Sequence, residues 1–190
     1  RQLSLQKLST ILGWGYRSEA SSDTKELERF DFFKAKIINY QFNELVNESG
    51  DFHLFDLSYS EGAFISKDDI VSSFLLINLK FDIPIFILDR ENLLGGINEN
   101  TVYRDLDFPK HPDFSARFFL GGKKASEIRS LFDSKLIFFF ESHAYFRVES
   151  IGKSLLIKGK NRLSSIQEIK QLLAFSTELM SIINNKYLDK

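Results

Sequence analysis

The chain has 190 residues, of which 43% are hydrophobic and 27% charged, a balance that makes a globular, soluble domain and not a disordered segment. Lys plus Arg number 25 against 26 for Asp plus Glu, so the long-range field gives no reason to expect nucleic acid or an anionic membrane surface as partner. No run of about 18 apolar residues is present to span a bilayer, and the absence of cysteine excludes disulfides, thiolate metal sites and cysteine nucleophiles.

The length suits one domain, divided here into a helix and polar connection over residues 1–35 and a single α+β domain over residues 36–190. Phenylalanine occurs 20 times where ordinary usage would give roughly 8, so aromatic burial is expected to dominate the core. The chain begins at Arg1 and its one methionine is Met180. A trimmed N-terminus is expected from this, with a leader or membrane anchor as what it lost.

In chain order, Leu5, Leu8, Ile11 and Leu12 recur at helical spacing and Gly13-Trp14-Gly15 ends the pattern, which predicts a short amphipathic helix over residues 3–12. Residues 17–29 read as a polar connection or second short helix. Ile38, Tyr40 and Phe42 alternate with polar residues, Asn47 to Asp51 is turn chemistry, and Phe52 to Tyr59 follows, so residues 37–59 predict a hairpin. After a loop over 61–69, Ser73 to Leu79 and Ile83 to Leu88 predict a second strand pair turning at Phe81-Asp82, with Pro84 at an edge or strand start. Residues 91–112 predict the longest loop.

Ser115 to Leu120 is expected as a strand ended by Gly121-Gly122, and residues 125–141 as one bent helix or two short ones. Tyr145 to Ser150 and Lys153 to Gly159 flank Ile151-Gly152 as a hairpin. Ser165 with Glu168 is a capping box opening a last helix, whose stripe is Ile166, Ile169, Leu172, Leu173, Leu179, Met180 and Ile183. The sum is an α+β fold: five to seven antiparallel strands, a long C-terminal helix on one face and a short N-terminal helix.

The sequence offers little chemistry. Gly152-Lys153-Ser154 lacks the earlier glycine of a phosphate loop and sits in a hairpin; Gly13 and Gly15 follow a helix, not the strand of a dinucleotide fingerprint. His53, His111 and His143 are far apart and form no metal-ligand cluster, His53 being read on the polar face of its strand and His111 as a turn residue. Asp68-Asp69 and Asp105 with Asp107 are the acid–base candidates, with solvation as the simpler reading. Lys158, Lys160 and Arg162 alternate, and with Lys123-Lys124 they suit a phosphate or anionic headgroup, against the simpler reading of a polar solvent face. Phe138, Phe139 and Phe140 cannot all face one way on a helix, so one is expected at the surface or an interface.

Leu12-Gly13-Trp14, Phe32-Phe33, Phe55-Asp56-Leu57-Ser58-Tyr59 and Pro84-Ile85-Phe86-Ile87-Leu88 occur in this order, followed by Phe114-Ser115, Phe118, Leu120, Arg129, Leu131 and Phe132, then Val148-Glu149 and Leu155-Leu156. In these elements the chain resembles a group of bacterial domains that commonly follow one or two N-terminal transmembrane segments and a short helix ending in Gly-Trp. The resemblance implies no reaction and no functional residues to carry over. It implies a membrane tether upstream, the cytoplasmic side being slightly favoured.

The expected function is a non-enzymatic interaction or sensory module, the soluble head of a membrane-associated bacterial protein, with no catalytic residue, metal or cofactor. Its partner would be another protein or a second copy of the chain. One alternative is a binder of lipid or another apolar ligand between the sheet and the C-terminal helix. The other is a hydrolase-like enzyme built on the loops 61–69 and 91–112, with His111, Asp107 or Asp69.

Overall fold

The computed structural model describes residues 1–19, 24–61, 69–90 and 103–188. The architecture is α+β, with eight strands in one antiparallel sheet, a short helix α1 (Gln2–Leu12) and a long helix α6 (Ile166–Tyr187). The strands are β1 (Gly15–Glu19), β2 (Lys36–Val46), β3 (Phe52–Glu61), β4 (Asp69–Asn78), β5 (Phe86–Arg90), β6 (Phe118–Gly122), β7 (Arg147–Ser150) and β8 (Ser154–Lys158), and they lie in the order β1-β2-β3-β4-β8-β7-β5-β6. The described residues also form the short helices α2 (Thr24–Leu27), α3 (Pro112–Arg117), α4 (Ala125–Leu131) and α5 (Ser134–Ser142), with a 3-10 turn at Asp31–Phe33.

Both sheet faces are buried, which accounts for the phenylalanines. Successive strand residues point to opposite faces, and on β3 Leu54 joins the larger core while Phe55 joins the smaller. The larger core packs Leu75, Ile77, Leu88, Leu120 and Ile157 against Leu5 and Leu8 of α1, Phe132 beside α4, Phe139 and Phe140 of α5, and Ile169, Leu172, Phe175 and Ile183 of α6. The smaller core lies on the other face, where Leu27, Phe30 and Phe33 cover Phe55, Leu57, Tyr59, Phe74, Leu76 and Leu156. The predicted capping box opens α6: Ser165 Oγ accepts from the Glu168 N–H at 3.2 Å, and the Ser165 N–H donates to Glu168 at 2.8 Å. Among the described residues no helix is long and apolar enough to cross a membrane.

Four expectations need correcting. The strand count is eight because Gly15–Glu19, read as part of a helix stop and polar connection, pairs with the far end of β2; an edge strand with exposed side chains shows no core alternation to find. The two strands predicted to turn at Phe81-Asp82 do not pair, since β8 and β7 lie between β4 and β5. The connecting segment instead runs across the end of the β7–β8 hairpin, with the Leu79 N–H donating to Lys153 O and the Ile83 N–H to Gly152 O. Residues 112–117 are helical, because Pro112 occupies the first turn, a place that suits its fixed φ and missing N–H. The glycines expected to end the next strand lie inside β6, with Gly122 opposite Phe86.

Gly122 is there because of a close approach: a Cβ would stand 2.1 Å from the Ile85 carbonyl oxygen and 3.0 Å from the Phe86 Cα. Both are backbone and cannot swing aside. Gly122→Ala is therefore expected to destabilise the fold by roughly 2–4 kcal/mol, read as a fall in the urea midpoint.

Candidate functional site

A cleft of about 560 Å³ lies on the sheet face away from α6, between the 31–36 segment and the edge of the smaller core. Phe32 and Lys36 form its roof, Asp89, Arg147 and Lys158 its floor, and Arg90 with Tyr145 one wall. The floor follows from register: Arg147 pairs with Lys158, which in turn pairs with Phe74, and directly paired residues share a face.

A buried ionic network anchors the roof. The Arg147 guanidinium bonds Asp89 and, through Nε at 2.6 Å, Glu149, while the Tyr145 hydroxyl donates to Asp89. Glu149 is 2% exposed and accepts the Phe32 backbone N–H at 3.2 Å, tying the 3-10 turn to β7. Burial pushes the Glu149 carboxyl up and Arg147 opposes that shift; the Tyr145 hydroxyl is pushed far up by burial and by the Asp89 charge.

Lys158 is the unusual member. It is 4% exposed, and among the described residues its ammonium has no carboxylate partner. It donates to Asn161 Oδ1 and stands 5.0 Å from the Phe32 ring centroid and 5.8 Å from that of Phe74. Burial first, and the Arg147 charge second, lower its pKa to about 8, so it is still mainly cationic at neutral pH. The Lys36 ammonium lies 4.3 Å from the Phe32 ring centroid and pairs with Glu61 at 3.3 Å. Arg90 stacks on Tyr145 at 4.4 Å, also without a carboxylate partner among the described residues.

The alternation of Lys158, Lys160 and Arg162 does not make a single solvent face. Lys158 enters the cleft, Lys160 stands at its rim, and both Lys160 (2.9 Å) and Arg162 (2.6 Å) grip Glu168 at the start of α6. That grip, led by Arg162, holds the Glu168 carboxyl well below the usual carboxylate range. Lys124 pairs with Glu127 at 2.8 Å.

The acid–base candidates are spread through the fold. Asp69 accepts from Asn39 at 2.9 Å and Ser60 at 3.0 Å; Asp105 accepts the N–H groups of Leu106 and Leu120, at 2.9 and 2.8 Å; and the Asp107 carbonyl accepts Arg129 at 2.6 Å. His111 precedes α3 and bonds Ser134 Oγ at 3.0 Å, while His143 meets Glu178 at 3.2 Å. Asp68, with most of the 61–69 and 91–112 loops, lies outside the described residues. Phe138 is the exposed member of its triplet, at 59%. Sequence reasoning missed Phe32, Lys36, Arg90, Tyr145 and Arg147; the signal available was two cations, Arg147 and Lys158, on the two strands of one predicted hairpin.

His53 does more than face water. Its Nδ1 meets Glu44 at 2.9 Å and its Nε2 the Gly50 carbonyl at 2.8 Å, and two acceptors hold both ring protons, raising its pKa. Because the folded pKa lies above the unfolded one, this stabilisation is full below about pH 6.5 and disappears as pH rises through the folded value. An NMR titration is expected to place His53 above its ordinary pKa, and the non-titrating variant His53→Gln should lose stability at acidic pH and match the parent in mild alkali.

Lys158 has the opposite sign. Its folded pKa is depressed, so the fold gains stability as pH rises from about 8 toward the ordinary lysine value of about 10.4. Lys158→Met is expected to raise stability at neutral pH by roughly 1–3 kcal/mol, a gain that shrinks as pH rises through that interval in chemical denaturation.

No protein-family model and no curated protein matches the chain. Among solved structures, the crystal structure of the mycobacterial trehalose monomycolate transport factor A, TtfA, is similar in fold, with a TM-score of 0.63 at 12% identity over 96% of this chain and 95% of that one.

Proposed function

We propose that the chain is a non-enzymatic binding domain of a membrane-associated bacterial protein, and that it takes an amphiphilic ligand, lipid or lipid-like, in the cleft beneath the 31–36 segment. The observation that carries this reading is the cleft itself: about 560 Å³, aromatic at Phe32 and Tyr145, cationic at Lys36, Arg90 and Lys158. Two aromatic rings set among charged side chains suit a ligand with a charged head and some apolar surface. The lining residues include no serine, threonine or histidine, and the carboxylates Asp89 and Glu61 are engaged by Arg147 and Lys36, so the groups present bind and orient better than they attack.

The similar fold of TtfA, named as a transport factor for trehalose monomycolate, supports a lipid as ligand. In this reading the ligand lies across the sheet from α6, whose stripe of Ile169, Leu172, Phe175, Leu179 and Ile183 is buried against the larger core. A protein contact is the second reading, carried by exposed Phe138 at the edge of a groove formed with Phe139 and Ile182.

Native mass spectrometry of the chain, purified from bacterial cells and compared with its denatured mass, tests both. An adduct that leaves on denaturation, extracts into organic solvent and is lost in the cleft-filling variant Ala35→Trp is the expected result. A chain that stays bare, even after incubation with detergent-solubilised bacterial lipid, overturns the amphiphile reading; a bare multimer dispersed by Phe138→Ser supports the protein contact.

A further inference from the structure

We infer that the cleft contains a specific oxyanion site, centred on the Lys158 ammonium with the Arg90 guanidinium beside it, and that it receives the phosphate group of its ligand. This deepens the amphiphile reading and rests on it for the cleft, but not for the charge.

The inference starts from a cost. Arg147 and Lys158 are paired cations on neighbouring strands, and like charges directly opposite destabilise a sheet. Arg147 is compensated by Asp89 and Glu149. Lys158, only 4% exposed, has, among the described residues, a neutral amide and two aromatic rings in place of a carboxylate. An ammonium so far from water without a carboxylate bonded to it is unfavourable, and such local conflicts occur where a fold keeps a group for its ligand. The charge stands in the floor of an open cleft, where an anion could complete it.

The other lining charges set the sign. Five cations and three carboxylates line the cleft. Asp89 is held by Arg147, Glu61 by Lys36 and Asp31 by Lys34. Arg90, stacked on Tyr145, adds a planar fork of donors, the geometry that suits phosphate oxygens. A ligand phosphate would neutralise Lys158 and bond Arg90, leaving an attached chain to run over Phe32.

The pH behaviour follows from the same groups. Arg147 and Lys36 face Lys158 and favour loss of its proton; Asp89 and Glu61 oppose it. Anion affinity should fall as pH rises beyond about 8, while an arginine in its place would keep its charge.

The test uses isothermal titration calorimetry at neutral pH with three probes below any micelle concentration: inorganic phosphate, octyl phosphate and octyl glucoside. Octyl phosphate is expected to bind the parent chain about tenfold or more tighter than Lys158→Met, and Lys158→Arg is expected to retain most of that affinity and to lose its pH dependence. Octyl glucoside should not distinguish the three proteins. Thermal unfolding of Lys158→Met verifies that it is folded. If octyl phosphate binds more tightly than phosphate, the ligand is a lipid headgroup; if the two bind alike through Lys158, it is a soluble phosphate compound, and the anion site stands while the amphiphile reading falls. Equal octyl phosphate affinity for the parent and Lys158→Met, or no binding of either phosphate, overturns the anion site; retained octyl glucoside binding would then leave the amphiphile reading intact.

Discussion

The Arg147 guanidinium, held between Asp89 and Glu149 on the inner floor of the sheet, is the interaction on which the rest of the second face depends. A buried charge is tolerated only when its partners and hydrogen bonds replace the water it has lost. Glu149 extends this set by accepting the Phe32 N–H, so the network that neutralises Arg147 also pins the segment that roofs the cleft. Phe33 then packs on Tyr59 and Phe74, with ring centroids 6.1 and 5.5 Å apart. The cleft is therefore a by-product of how the smaller core is closed.

A second polar node operates on the other face. Asp56, 2% exposed, accepts a bidentate pair from Arg1 at 2.6 Å, the Ser73 hydroxyl at 2.8 Å and the Asn43 amide at 3.0 Å. It ties the start of α1 to β2, β3 and β4. Asn43 reaches it from a bulge, with a left-handed φ of 53° that asparagine tolerates better than most residues. The two nodes differ in what they leave over: Asp56 is saturated by donors, whereas the Arg147 network uses its carboxylates on arginine and leaves the neighbouring lysine without one among the described residues.

That leftover charge connects stability to the proposed anion site. A lysine core position beside an arginine is a poor choice for folding alone, since an apolar side chain of similar size would fill the space without desolvation. The large apolar cores beneath α6 and beneath Phe30 and Phe33 supply the stability against which one such conflict can be held. The similarity to TtfA is a likeness of the scaffold; the charges that line the cleft belong to this chain's own residues.

Much of the fold was legible because it is written in local patterns. The capping box at Ser165 and Glu168, the stripe of α6, the hairpins over residues 37–59 and 145–159 and the helix before Gly13 all depend on neighbours a few positions apart, where periodicity and turn chemistry act directly. The pairing of β4 with β8, and of β5 with β6 and β7, was not legible, because antiparallel partners far apart in sequence leave no mark on local composition. The same holds for the site. Sequence determined that this is a Phe-rich α+β sheet domain without cysteine chemistry and that cations alternate after Lys158. Only the tertiary structure decided that Lys158 turns inward beside Arg147 while Lys160 and Arg162 turn to Glu168, since burial is a property of what the chain brings opposite a residue and not of the residue itself.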